Sequence, residues 1–201
     1  MNKGRPISLN RHNVSEACLD IYWKKGINNI SYNDVIKTSK LSKGSYYKLF
    51  VNEDDLHFET LITYGRNNDV NLLYKEINNA EDLFQLLSTH KNWKFKNGIE
   101  HCYFFCAYLE KYRLGIKTRK IISNTERKYK LLLSRITKKH IEKYDLKKSD
   151  VNIDQIANFV FNGLVIINLL HRNRSSKASI NSYKKSLYKF IANITLTGMN
   201  K

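Results

Sequence analysis

Pro6 is the only proline in 201 residues. Proline removes a backbone donor and clashes with the preceding turn, so a chain free of it from residue 7 onward can stay helical along its length. Apolar residues recur every three to four positions from end to end, which is the helical period and not the strand period. The expected fold class is therefore all-α. The pattern predicts a first helix over 13–25, carried by Val14, Ala17, Cys18, Ile21 and Tyr22 and ended by Gly26 as a C-cap. It then predicts a helix pair within 31–50 and one long helix from Glu53 to about Ile77, with Gly65 as its weak point. Shorter helices follow over 81–90 and 99–112, then 123–144, and two last helices over 153–172 and 179–196. Internal repeats and low-complexity linkers are absent from the sequence.

The segment 31–50, SYNDVIKTSKLSKGSYYKLF, carries the most chemistry. Ser31 is placed to cap a short helix whose first turn holds Asp34, an acidic group at the positive end of the helix dipole. Val35 and Ile36 give that helix its buried side. Ser42 is a second cap, and Leu41, Tyr46, Leu49 and Phe50 mark the core face of the helix it starts. Lys43, Gly44, Ser45, Tyr47 and Lys48 are left outside. Small, hydroxyl and cationic groups thus gather at one helix start, where free N–H groups and the dipole suit phosphate and Gly44 permits close approach to a duplex. A helix with these groups fits a major groove.

On Ala17, Ile21, Tyr22, Gly26, Ser31, Asp34, Val35, Leu41 to Ser45, Tyr47 and Phe50, at their spacing, residues 5–58 resemble the TetR family of bacterial transcriptional regulators. The resemblance implies a three-helix helix-turn-helix domain, placed at 1–50, and a helical ligand-binding and dimerisation domain, placed at 51–201, with about nine helices in all. It implies a one-component repressor that binds an inverted-repeat operator in double-stranded DNA as a homodimer and is released by a small-molecule effector. The DNA-contacting residues would be Ser31, Ser42, Lys43, Gly44, Ser45, Tyr47 and Lys48, with Tyr47 and Lys48 mainly on phosphates. Four positions depart from the family pattern. Lys40 occupies the turn in place of Gly or Asn, which strains a left-handed backbone by about 1 kcal/mol. Tyr46 replaces an aliphatic core residue and its hydroxyl needs a partner. Leu49 replaces a polar or aromatic residue, and Glu53 stands where a phosphate-contacting Lys is frequent. Glu53, Asp54 and Asp55 either repel phosphate or charge the first turn of a helix capped by Asn52, the reading favoured on dipole grounds.

Charge does not add to the case for the helix pair. The net charge is +17, but residues 1–60 hold nine Lys/Arg against seven Asp/Glu. The segment 111–148 alone has fourteen Lys/Arg against Glu126, Glu142 and Asp145. That run is either the solvated face of a long helix or a belt that attracts DNA or an anionic ligand, weakening with salt.

The last two helices carry an oligomer argument. The first, from Phe159 to Leu170, is apolar around nearly its whole circumference, so a core on one side leaves another side for a second chain. The expected dimer residues are Phe159, Gly163, Ile166, Ile167, Leu170, Tyr183, Leu187, Phe190 and Ile191. The segment 93–112 is rich in rings, including Trp93, Phe95, Tyr103, Phe104, Phe105, Tyr108 and Tyr112, which suits either a ligand cavity or an ordinary core. The expected ligand-lining set is Tyr64, Trp93, Cys102, Tyr103, Cys106, Tyr108 and Phe161.

Cys102 and Cys106 share a helical face, as buried packing, as a thiol sensor, or with His101 as an incomplete metal site. No metal site, cofactor or catalytic residue is expected: phosphate loops, HExxH and nucleophile elbows are missing and the histidines are scattered. The N-terminus lacks an apolar signal core, the Phe159 to Leu170 run falls short of a bilayer and is broken by Asn162 and Asn168, and three cysteines fit a reducing compartment. A cytoplasmic protein with no membrane partner is expected. The competing readings are a DNA-binding structural or accessory protein without an effector and, if Glu53 to Asp55 face phosphate, a protein-partner module.

Overall fold

The computed structural model describes residues 10–66, 69–89, 99–146 and 152–199. Among these there are ten α-helices and no strand: α1 Arg11–Lys25, α2 Tyr32–Ser39, α3 Lys43–Leu49, α4 Glu53–Arg66, α5 Asp69–Asn79, α6 Leu83–Thr89, α7 Tyr103–Glu110, α8 Ile116–Lys143, α9 Ile153–Arg172 and α10 Lys177–Met199. The all-α expectation holds.

Side-chain caps explain most helix starts. Asn10 accepts the Asn13 N–H at 2.8 Å at the head of α1, Asn52 accepts the Asp55 N–H at 3.0 Å in α4, and Asn152 accepts the Gln155 N–H at 3.0 Å in α9. Gly26 closes α1 at φ 89°, and its N–H returns to the Tyr22 carbonyl at 2.8 Å. The helix expected over 53–77 is helical on both sides of residues 67–68, which lie outside the described residues, as α4 and α5, with Gly65 one residue before the last of α4. α8 begins at Ile116, seven residues ahead of the expected Ser123. Its start is capped from another helix: the Asp54 carboxylate accepts the N–H of Lys117 at 2.9 Å and of Thr118 at 3.0 Å. A cap supplied from 63 residues away leaves no local signature.

α4 packs on α1 and α8, α8 on α9, and α9 on α7 and α10. One apolar cluster runs through all of them from Val14 to Ile191. Leu56, Tyr64, Phe105, Val160 and Phe161 are wholly buried in it, each stabilising the fold by roughly 1.5–3 kcal/mol relative to exposure.

α9 corrects part of the expected dimer face. Gly163, Ile167, Leu187 and Ile191 are buried within the chain, and a Cβ on Gly163 would sit 2.7 Å from a Leu187 methyl. Gly163 therefore admits α10 of its own chain. Phe159, Ile166 and Phe190 remain exposed, with Leu170 and Tyr183 half-buried beside them. The Phe159 and Phe190 rings lie 4.0 Å apart, joining α9 and α10 into one outward apolar surface. α9 is also the one helix among the described residues long and apolar enough to cross a membrane, counter to the expectation from the shorter run; half of its most apolar stretch is buried against this chain.

Candidate nucleic-acid interface

The α2–α3 pair is built from local contacts. Ser31 accepts the Asp34 N–H at 3.2 Å, while the Asp34 carboxylate accepts the Ser31 N–H at 3.0 Å and its hydroxyl at 2.6 Å. This reciprocal capping box holds the Asp34 carboxyl below its ordinary range through the Ser31 hydroxyl bond. At the turn, Lys40 takes the left-handed conformation, φ 54° and ψ 30°, as expected from its place. Ser42 then caps α3, accepting the Ser45 N–H at 3.1 Å and donating its hydroxyl to Ser45 Oγ at 2.9 Å.

Core and outward faces of α3 separate as the spacing predicts. Tyr46 and Phe50 are buried, and the Tyr46 hydroxyl finds the Asn52 carbonyl at 3.3 Å. Ser31, Ser42, Lys43, Gly44 and Lys48 are exposed, Ser45 is half-buried, and Tyr47 is 61% exposed. Nothing lies within 4 Å of a Cβ placed on Gly44, so the start of α3 is open to an approaching backbone. Tyr32 is a part that the sequence reading missed. Its ring stacks on Tyr47 at 5.9 Å, and Tyr46 meets both edge-on at 5.1 and 5.3 Å. The buried ring thereby fixes the direction of the exposed one.

Behind this face sits an ionic junction that sequence spacing did not reveal. Asp55 bonds Arg11 at 2.8 Å and also Lys117, and the Arg11 bond leads in holding its carboxyl well below the usual range. Arg11 further donates to the Leu49 carbonyl at 2.6 Å at the end of α3 and lies 4.8 Å over the Phe50 ring. Thr118 donates its hydroxyl to the Asp54 carbonyl at 3.1 Å. Asp54 and Asp55 thus turn toward α8 and α1, and the condition for the protein-partner reading is not met at these two. On the other side, Glu110 accepts Arg172 at 2.7 Å and the Asn28 N–H at 2.9 Å, joining α7 and α9 to the loop between α1 and α2. His57 lies edge-on to Tyr22 at 5.2 Å, and burial pulls its pKa down to about 4.

The expected ligand-lining residues are mostly packed core. Tyr64, Cys102, Tyr103, Cys106 and Phe161 are buried, Tyr108 is half-buried, and Trp93 and Phe95 fall outside the described residues. The Tyr64 hydroxyl donates to Cys102 Sγ at 3.1 Å, Tyr103 shares a hydrogen bond with Thr60 at 3.0 Å, and Asn168 accepts the Cys102 N–H at 2.6 Å. Burial pushes the Cys106 thiol up to about 12, the reverse of what a thiolate sensor needs. No group of three metal-ligating side chains occurs among the described residues. Open space lies to one side of this core. A cleft of about 390 Å³ between α4, α7 and α8 is walled by Leu61, Ile62, Tyr64, Phe104, Ile121 and Ile122. A second, of about 620 Å³, lies between α5 and α8. Among the described residues, Tyr64 is the one expected residue that lines either cleft.

The basic segment is partly neutralised. Lys117 pairs with Asp55, Lys130 with Glu126 at 2.9 Å, and Lys143 with Asp82 at 2.6 Å. Arg119, Lys120, Arg127, Lys128, Arg135 and Lys139 have no ion-pair partner among the described residues.

No protein-family model matches the sequence. No curated protein is similar to it in sequence. Solved structures are similar in fold. A TetR-family transcriptional regulator from Cytophaga hutchinsonii superposes with TM-score 0.72 at 20% identity, covering 91% of this chain and 93% of its own. The regulatory protein TetR from Rhodobacter sphaeroides gives 0.71 at 15% identity, over 90% and 98%. The TetR-family regulator CifR, a cysteine mutant solved with 26bp double-strand operator DNA, gives 0.70 at 16% identity, over 92% and 98%. The fold of this chain is the TetR-family fold, matched over nearly its whole length.

Proposed function

We propose that this chain is a TetR-family one-component transcriptional regulator that binds an inverted-repeat DNA operator as a homodimer, represses from it, and is released by a small-molecule effector. The observation that carries the reading is the exposed start of α3. Ser42, Lys43, Gly44 and Ser45 stand open beyond a doubly capped helix pair, with Tyr47 held outward by Tyr32 and Tyr46. Serine hydroxyls and the free lysines are suited to phosphates and base edges, and α3 is slim enough at Gly44 to enter a major groove. The outward surface of Phe159, Ile166 and Phe190 supports pairing of two such heads. Residues 1–50 would form the DNA-binding unit and 51–201 the effector and dimer unit. The clefts beside α8 favour an effector over the accessory-protein reading, which needs a filled interior.

The test is selection of a binding site from fragments of the source genome, followed by gel shift at fixed salt. Tyr47→Ala and Lys48→Ala should each weaken binding about tenfold, the equivalent of about 1.4 kcal/mol, and Lys48→Ala should lower the salt slope by about one. Wild-type affinity in both variants would refute the assignment of α3 as the reading helix.

A further inference from the structure

The two clefts beside α8 share Thr125. On this helix Ile121, Thr125, Lys128, Leu132 and Arg135 follow at intervals of three and four, so they form one stripe facing α4 and α5. The stripe is apolar at its start and cationic toward its end. We propose that the joined clefts bind a single-chain acidic amphipath, its hydrocarbon part in the first cleft and its carboxylate on Lys128 and Arg135 in the second. This deepens the effector reading above and rests on it.

Three observations select that chemistry. The walls of the first cleft are apolar, and both volumes fall in the range of small-molecule sites. No carboxylate lines either cleft among the described residues, whereas Arg66 lines the first and Lys128 and Arg135 the second. Finally, the cations that line the clefts are unpaired or weakly paired. Lys128 and Arg135 have no ion-pair partner among the described residues, and the one ion pair of Arg66 is a 4.0 Å contact with Glu59. A cationic ligand would meet three like charges here, and a neutral one would leave all three uncompensated. An acid matches them, and Tyr74 in the second cleft adds a hydroxyl.

Isothermal titration of the full chain with dodecanoate, 1-dodecanol and dodecylammonium, each below its micellar concentration, tests the assignment. Dodecanoate should bind about tenfold tighter than dodecylammonium, and Lys128→Gln with Arg135→Gln should remove about tenfold of dodecanoate affinity while leaving 1-dodecanol unchanged. Both cations are exposed, so this variant should fold as the parent does; Leu61→Trp, which fills the first cleft, should abolish binding of dodecanoate and 1-dodecanol alike. Equal affinity for acid and amine, an unchanged acid preference in the double variant, or no binding of any probe would overturn the proposal. Vesicles of phosphatidylglycerol should not bind; binding that depends on Lys128 and Arg135 would place these cations on a membrane surface and overturn it too. Operator binding by the unliganded protein, measured alongside, separates the two readings: if it persists while no probe binds, the groove assignment alone fails. Dodecanoate that binds without changing operator affinity leaves the groove standing and counts against the effector role.

Discussion

On the outward face of α3, Lys43 and Lys48 are exposed and have no ion-pair partner among the described residues, whereas at the junction behind it Arg11, Lys117 and Arg172 each hold a carboxylate. The two regions draw on the same residue types. What separates them is satisfaction. A cation whose donors are still free gains most from a phosphate, since counterion release and new hydrogen bonds both follow. A cation already bonded to Asp55 or Glu110 has its donors committed, and removing either partner leaves the other incompletely paired in a partly buried place. The outward face of α3 therefore spends little of the chain's stability, and the junction holds α1, α4, α7, α8 and α9 in one arrangement around it.

Substitutions should divide along that line. Asp55→Ala should have the largest effect, destabilising the fold by about 2 kcal/mol in urea or guanidinium titration, because one change frees Arg11, Lys117 and the Val51 N–H together. Lys48→Ala should stay within about 0.5 kcal/mol in the same titration. Comparable losses in both would erase the distinction between the two regions. Gly163→Ala comes next, at about 1–2 kcal/mol, since its Cβ would meet the Leu187 methyl at 2.7 Å and α9 and α10 must part slightly. No loss there would mean that Leu187 yields and the α9–α10 seam accepts a methyl group at no cost. Lys40→Gly should act in the opposite direction, raising stability by up to about 1 kcal/mol through relief of the left-handed turn, with little change in thermal stability of variants made at α3.

The smallest effect is on pH. The pKa of His57 is lowered by burial to about 4 in the folded chain, against an unfolded value near 6.5, and Asp54 and Glu110 oppose that shift without cancelling it. Between these values the unfolded chain binds more protons, so the contribution is fully present above about 6.5 and is lost as pH falls toward 4. His101, His140 and His171 are also lowered by burial and act in the same sense. Stability measured from pH 7 to pH 4.5 should decline, and less steeply in His57→Phe than in the parent. Identical slopes would remove His57 from the junction's electrostatics. Asp55 acts at lower pH: its carboxyl is held below the ordinary range, so its contribution is lost only as pH falls below that range.

The helix pair was legible because its contacts are short. Ser31 reaches Asp34, Ser42 reaches Ser45, and the αL turn at Lys40 lies between them, all within three residues or one turn. α9 was placed correctly at 153–172 by apolar residues that cover nearly its whole circumference, and its Asn152 cap is equally local. What the sequence did not show came where the partner is distant. Asp54 stands in the first turn of α4 as expected, and its carboxylate also starts α8. Tyr103, Cys106 and Phe161 suggested a cavity by their ring and thiol content, and all three are buried, Phe161 edge-on to the Phe105 ring. Composition counts bulky groups and says nothing of whether they meet.

By itself the sequence determined the helical class, the doubly capped helix pair and the identity of the exposed groups on α3, because these follow from hydrogen bonds and periodicities spanning a few residues. Tertiary structure alone decided which carboxylates became ties, that Gly163 admits Leu187 of its own chain, and that open space lies along α8 beside Lys128 and Arg135. Those outcomes depend on which helices come into contact across long stretches of chain, and packing, unlike a cap, leaves no local pattern to read.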